Sequence, residues 1–156
     1  MLNPDFLREA IRLSVEKMEA GAGGPFGAVI VRDGEIVGRG WNKVTSTNDP
    51  TAHAEVVAIR DACSNLQTFS LTGCDVYSSC EPCPMCLAAI YWARVERIYY
   101  AASADDAAAA GFDDREFYRE LCAPLIERSI PMQQALRRDA LPALQAWAGK
   151  SDRVPY

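Results

Sequence analysis

Phe6, Leu7, Ala10, Ile11, Ser14 and Met18 recur at helical spacing behind Asn3-Pro4. A capping residue followed by proline in the first turn opens a helix, and Gly21 ends the run. Gly23-Gly24-Pro25 is a turn-rich break. Two apolar-rich runs, Ala28–Val31 and Glu35–Gly40, flank Asp33-Gly34, a two-residue hairpin signal. Trp41–Asp49 is polar and predicts a loop. Asp49-Pro50 predicts the next helix start, with the helix running to about Asn65. Asp75–Ser79 predicts a short strand, Pro84–Arg94 a helix and Arg97–Ala101 a strand. That order implies a parallel pair with a right-handed crossover. Ser103–Gly111 is alanine-rich but too short to be low-complexity. A helix is expected from Asp114 to about Cys122, a fifth strand over Ile130–Gln134, and a helix over Leu141–Ala148. With no internal repeat and no dividing linker, the pattern predicts one α/β domain over residues 1–156, a mixed sheet flanked by helices.

Composition narrows the class. A chain of 156 residues with 49% hydrophobic and 24% charged residues has the balance of a soluble globular domain with one sizeable core. No apolar run approaches the ~20 residues of a membrane span. Residues Met1–Ala10 carry Asp5, Arg8 and Glu9 and have no hydrophobic signal segment. A cytoplasmic location is expected, where thiols stay reduced. The six cysteines therefore read first as metal ligands or core residues. The net charge of −5 argues against long nucleic-acid partners, which favour basic surfaces.

Two short strings carry the chemistry: His53-Ala54-Glu55, and Pro82-Cys83-Pro84-Met85-Cys86, whose first cysteine lies 30 residues (83 − 53) after the histidine. The pattern matches the H-x-E…P-C-x-x-C signature of zinc deaminases, a match of pattern rather than a derivation. Cys83 and Cys86 are three apart at a predicted helix start, where side chains share a face and tilt toward the N-terminus. The helix dipole and free N–H groups there favour thiolate, the form that binds metal. Residues two apart, such as His53 and Glu55, reach one point only if it lies off the first turn of a helix, where Asp49-Pro50 places them. A His–Cys–Cys set leaves the fourth tetrahedral position open, as a catalytic zinc requires. The expected cofactor is one Zn²⁺ per subunit with a bound water or hydroxide, and Glu55 is the natural general base and acid. A closed structural site of three cysteines and one histidine, using Cys80 or Cys74, is the alternative. Cys63, Cys74 and Cys122 otherwise read as small buried apolar residues.

The chain resembles the cytidine-deaminase-like superfamily and, within it, the small bacterial guanine deaminases over nearly its whole length. The resemblance rests on Gly23–Val31, Asn48–Glu55, Cys80–Cys86, Ala89–Arg94 and Ala109–Asp114. It implies a three-layer α/β/α sandwich with a five-stranded mixed sheet and conversion of guanine and water to xanthine and ammonia. It also implies a homodimer exchanging the C-terminal segment, about 139–156, with the chain end covering the partner's site. In substrate binding it implicates Phe26, Asn42, Ala54, Trp92, Asp114 and Tyr156, and it gives Asp114 a share in proton transfer. An aromatic face at Phe26 suits a flat ring, and the Asn42 amide offers both donor and acceptor to a purine edge. Each also has a plain structural reading. Phe26 and Trp92 would serve as core, Asn42 as a turn residue, and Asp114 as a first-turn acid behind an Asp113 cap. Tyr156 would be a frayed end.

Three rival activities share some of these features. A tRNA adenosine deaminase has the same zinc strings but should present basic surface, whereas Arg137, Arg138, Lys150 and Arg153 are interrupted by Asp139 and Asp152. A cytosine or other amino-heterocycle deaminase is the second, and a zinc-stabilised, non-catalytic binding module the third.

Overall fold

Asn3 accepts a hydrogen bond from the Asp5 N–H over 3.0 Å and opens α1 (Pro4–Glu19) where the sequence places it. The computed structural model describes residues 1–155. By contact density the chain divides into two units, one spanning Met1–Asp114 and the other beginning at Arg115. Among the described residues no helix is long and apolar enough to cross a membrane.

In the first unit, β1 (Gly27–Arg32) and β2 (Glu35–Trp41) form the hairpin. Asp33 and Gly34 have φ of 52° and 81°, the left-handed pair that a two-residue turn needs. A one-turn helix, α2 (Val44–Thr47), interrupts the expected loop. Then follow α3 (Ala54–Leu66), β3 (Cys74–Cys80), α4 (Pro84–Trp92), β4 (Arg97–Ala102) and α5 (Ala104–Ala109). The last is closed by a capping box between Ser103 and Asp106, a signal hidden in the alanine-rich run. The sheet order is β2-β1-β3-β4. β1 runs antiparallel to both neighbours, and β3 and β4 are parallel across α4.

Strand alternation sorts the core onto two faces. Val29, Val31 and Tyr77 face α1 and pack with Leu13, Phe6 and Leu7. Ala28, Ile30, Cys74 and Val76 face α3 and α4 and pack with Ala54, Ala58, Ala62 and Ile90. The result is helix, sheet, helix. Ile11 and Met18, placed in the α1 apolar stripe from sequence, are exposed, and Leu13 is buried instead.

The α3 face against β2 is built from small residues. A Cβ on Gly40 would lie 2.1 Å from the Ala54 carbonyl oxygen, and one on Gly38 would lie 2.5 Å from that of Ala58. Alanines 54, 58 and 62 thus let the helix backbone rest directly on the strand, which sets how deep the α3 N-terminus sits. Gly40→Ala should force backbone apart and destabilise the protein by about 1–3 kcal/mol, read as a lower denaturation midpoint with unchanged slope.

The second unit contains α6 (Arg115–Cys122), a 3₁₀ turn (Leu125–Glu127) and α7 (Arg137–Gly149). The expected fifth strand over Ile130–Gln134 is absent: the segment is irregular, so the sheet has four strands. Pro131 removes a ladder donor, and Ile130 and Met132 are exposed rather than packed. α7 starts four residues ahead of its expected start (141 − 137), with Pro142 inside it. Cys122 is exposed, which corrects its reading as a buried residue. Cys74 is buried as expected and Cys63 is half-buried.

Candidate zinc centre

Two helix N-termini meet at the site. His53 is the N-cap of α3 and Cys83 the N-cap of α4, both in extended backbone conformation. N-caps are usually Ser, Thr, Asp or Asn, whose side chains bond the first turn. Here neither side chain caps its helix, and both are turned toward each other. Asp49-Pro50 does not start α3. Asp49 instead accepts from the Thr51 N–H and hydroxyl, at 2.8 and 2.6 Å, in a turn that delivers His53 to the helix end. This Asx turn uses the same residue types as a cap, so the sequence pattern places the helix start four residues early (53 − 49).

The ligand atoms of His53, Cys83 and Cys86 all lie within 4.8 Å of one another. His53 Nδ1 and Cys83 Sγ are 3.5 Å apart. Tetrahedral zinc with Zn–S of ~2.3 Å and Zn–N of ~2.0 Å places such a pair about 3.5 Å apart, so the donors fit the metal. Hydrogen bonding from the Cys86 thiol, with help from His53 and against burial, holds the Cys83 thiol down to about 4. The same bond to Cys83, then burial and the Glu55 charge, pushes Cys86 up. Thiolate is the form that binds a cation, so metal binding here would release thiol protons. Bonding to Cys83 raises His53 above its ordinary value against the opposing effect of burial. The charges of Cys83, Glu55 and Asp114 add to the rise.

Cys80 is not part of this group. It lies on the strand side, buried, with its thiol donating to the Ser103 carbonyl over 3.5 Å. Cys74 is in the core beneath the sheet. The closed four-ligand arrangement is thus disfavoured. Cys80→Ala is expected to leave zinc content unchanged by metal analysis, whereas a fourth ligand there would be revealed by metal loss.

Glu55 sits in the first turn of α3, only 6% exposed. Burial raises its pKa, opposed by bonds from its own backbone N–H, Cys86 and Ser78. The Ser78 hydroxyl donates to Glu55 Oε1 over 3.0 Å. Asp114 is half-buried. Burial first, then the negative charge of Cys83, raises its pKa, and its charge is also felt by His53.

Phe26 packs against the core face that holds Ala54, and its carbonyl accepts from the Asn42 N–H over 3.0 Å. Asn42 is buried. Its Oδ1 accepts from the Gly24 and Val44 N–H groups, at 3.4 and 3.2 Å. The turn-stabilising role is therefore real and engages the acceptor. Lys43 N–H bonds the Ala52 carbonyl over 2.8 Å, tying this loop to the residue before His53.

Sequence reasoning did not single out Phe112, whose ring meets Phe26 edge-on at 4.9 Å, nor Ser78 and Glu81. Glu81 ties the loop before Cys83 to the segment after β4, through its N–H to the Ala102 carbonyl and its carboxylate to the Ala104 N–H. The one legible signal was parity: Ser78 shares a face with Cys74 and Val76 on β3.

Trp92 is not brought to this cluster. It ends α4, nine residues and roughly 13 Å along the axis from Cys83, and is 63% exposed with Arg94 over its ring. Its exposure corrects the core reading. Tyr156 lies outside the described residues.

An open His–Cys–Cys donor set at two helix tips, beside a buried carboxylate and under an α/β/α sandwich, defines a zinc-binding deaminase architecture. The chain belongs to the family described as the cytidine and deoxycytidylate deaminase zinc-binding region, whose profile matches residues 3–102. It is 52% identical to the guanine deaminase of Bacillus subtilis over all of both chains. An X-ray structure of guanine deaminase from that organism superposes with a TM-score of 0.96, covering 100% of this chain and 99% of the other. A structure of guanine deaminase from Nitrosomonas europaea is 31% identical with a TM-score of 0.69, covering 74% of this chain and 67% of that one. The tRNA-specific adenosine deaminase of Aquifex aeolicus is 43% identical over 97 residues, 62% of this chain and 64% of that protein.

Proposed function

We propose that the protein catalyses the hydrolytic deamination of guanine to xanthine and ammonia. The observation that carries this is the extent of similarity. The likeness to a tRNA-specific adenosine deaminase covers 97 residues, whereas that to a guanine deaminase spans the full chain.

His53, through Nδ1, and the sulfurs of Cys83 and Cys86 would hold one zinc per subunit, with the fourth position left to solvent. When bound, zinc supplies a Lewis acid that makes hydroxide available near neutral pH. Glu55 takes the proton of the attacking water and delivers it to a ring nitrogen of guanine as C2 is attacked. Its burial raises its pKa, the direction that suits an acid–base shuttle. Asp114, whose pKa is also raised, assists at the departing amine or holds the polar edge of the base. Phe26 lies against the flat face of the ring, and the Asn42 NH₂ donates to an acceptor on the purine edge. Ala54, fully buried at the head of α3, forms the floor.

The same reading includes a homodimer with residues from about 139 to 156 exchanged and Tyr156 closing the partner's site. In its support, α6, the 3₁₀ turn and α7 contain no buried residue. They expose Ile126 at 94% and Leu144 at 66%, among other apolar side chains. A helical segment without its own core needs a surface to cover it. The free state of all six cysteines fits a cytoplasmic setting.

Ammonia release from guanine, adenine, cytosine, their nucleosides and tRNA, with zinc-loaded protein, tests the assignment. Guanine is expected to be turned over with the highest kcat/KM. Preference for tRNA adenosine or cytosine would overturn it.

A further inference from the structure

Ser78 occupies an inward position of β3, on the face that packs α3, and is 1% exposed. Its neighbours on that face, Cys74 and Val76, are apolar core residues. A hydroxyl buried there is costly unless it is bonded. Its side-chain partner is Glu55, at 3.0 Å from Ser78 Oγ to Glu55 Oε1, the serine donating. The contact joins two elements 23 residues apart in sequence and is buried on both sides. β3 is held on either side at this position, with Ala28 of β1 and Tyr100 of β4 as its ladder partners. The hydroxyl is therefore carried by the middle of the sheet rather than by a loop.

A serine hydroxyl has one proton to give. Once it is given to Oε1, one of that oxygen's lone pairs is taken, which favours the other oxygen as the place where a protonated Glu55 carries its proton. We propose that Ser78 is a positioning residue for the proton shuttle: it pins Glu55 Oε1 so that Oε2 alone takes and gives the transferred proton. The inference rests on the proposed role of Glu55. It adds that the carboxyl group works as a one-oxygen shuttle whose orientation is set by the sheet. The Glu55 backbone N–H and Cys86 also bond the carboxyl, and Ser78 adds the contact held by the sheet. Without it the carboxyl is held less firmly and presents the wrong oxygen in a fraction of bound complexes. That failure lowers kcat and leaves substrate binding and metal content alone.

Three variants test it. Zinc-loaded Ser78→Ala is expected to lose about 10–100-fold in kcat, the usual cost of removing a group that orients a site residue. Its KM should stay within about twofold, with unchanged zinc content and melting temperature. Ser78→Thr, which keeps the donor, should recover most of kcat. In a Glu55→Gln background, Ser78→Ala should change the residual rate by less than about twofold, since the proton it directs is gone. A folded, zinc-loaded Ser78→Ala with wild-type kcat overturns the proposal. So does a loss expressed in KM, or one that persists in full in the Glu55→Gln background. Should Ser78→Ala fail to fold or to hold zinc, the threonine variant decides. Near-wild-type kcat supports the pin, and a folded, zinc-loaded threonine variant that remains slow overturns it. If Glu55→Gln itself retains full activity, the shuttle reading fails, a result distinct from any of these.

Discussion

Glu55→Gln is expected to lower the rate of guanine deamination by about 10²–10⁴-fold, the contribution of a positioned acid–base group. Glutamine has nearly the same shape and can still accept from Ser78 through its amide oxygen, so packing around the first turn of α3 is preserved. It cannot take a proton from water and return it to the base. Zinc content is the internal control, because Glu55 is not among the three convergent ligands. A glutamine variant that retains full turnover with zinc bound would remove Glu55 from the chemistry.

Removing a ligand should have a still broader effect. Cys83→Ala is expected to abolish both zinc retention and activity, and chelation of the wild-type protein should do the same reversibly. The physical reason lies in the two N-caps. His53 and Cys83 occupy positions where a serine or aspartate would stabilise its helix, and neither makes the bond. The local cost of an absent cap is about 1 kcal/mol per helix. Bound metal offsets it by stabilising only the folded state: zinc at about 1,000 times its dissociation constant contributes about 4 kcal/mol. Loss of zinc should therefore lower the melting temperature by on the order of 10 °C, at about 2–4 °C per kcal/mol for a chain of this size. A Cys83→Ala protein that melts and turns over like wild type would refute the ligand assignment. Equal zinc retention by Cys80→Ala would separate the open site from a closed one.

Legibility along the chain followed the range of the interactions. The hairpin at Asp33-Gly34 was readable because a two-residue turn is specified by its own backbone angles. The β3–α4–β4 unit was readable because its elements alternate cleanly and α4 starts at Cys83-Pro84. The start of α3 was displaced because an Asx turn and an N-cap use the same residue types. α5 was missed because its capping box lay within a run dominated by alanine. Ile130–Gln134 has strand-like side chains, but a strand exists only when another strand pairs with it.

Within the site, the metal ligands and Glu55 were evident because their spacing is local to two helix starts. The amino-acid order alone pointed to His53, Cys83 and Cys86 as metal donors with Cys80 or Cys74 as alternatives, to Glu55 beside them, and to a framework that alternates strands with helices. Tertiary structure alone decided that Cys80 turns toward Ser103 and not the metal, that the Asn42 oxygen is already engaged, and that Ser78 reaches Glu55 across 23 positions. Trp92 was likewise sent away from the cluster by the length of α4. Those outcomes depend on how deeply α3 settles on Gly38 and Gly40 and on how the strands register. Close packing of distant segments sets both, and no local pattern encodes it.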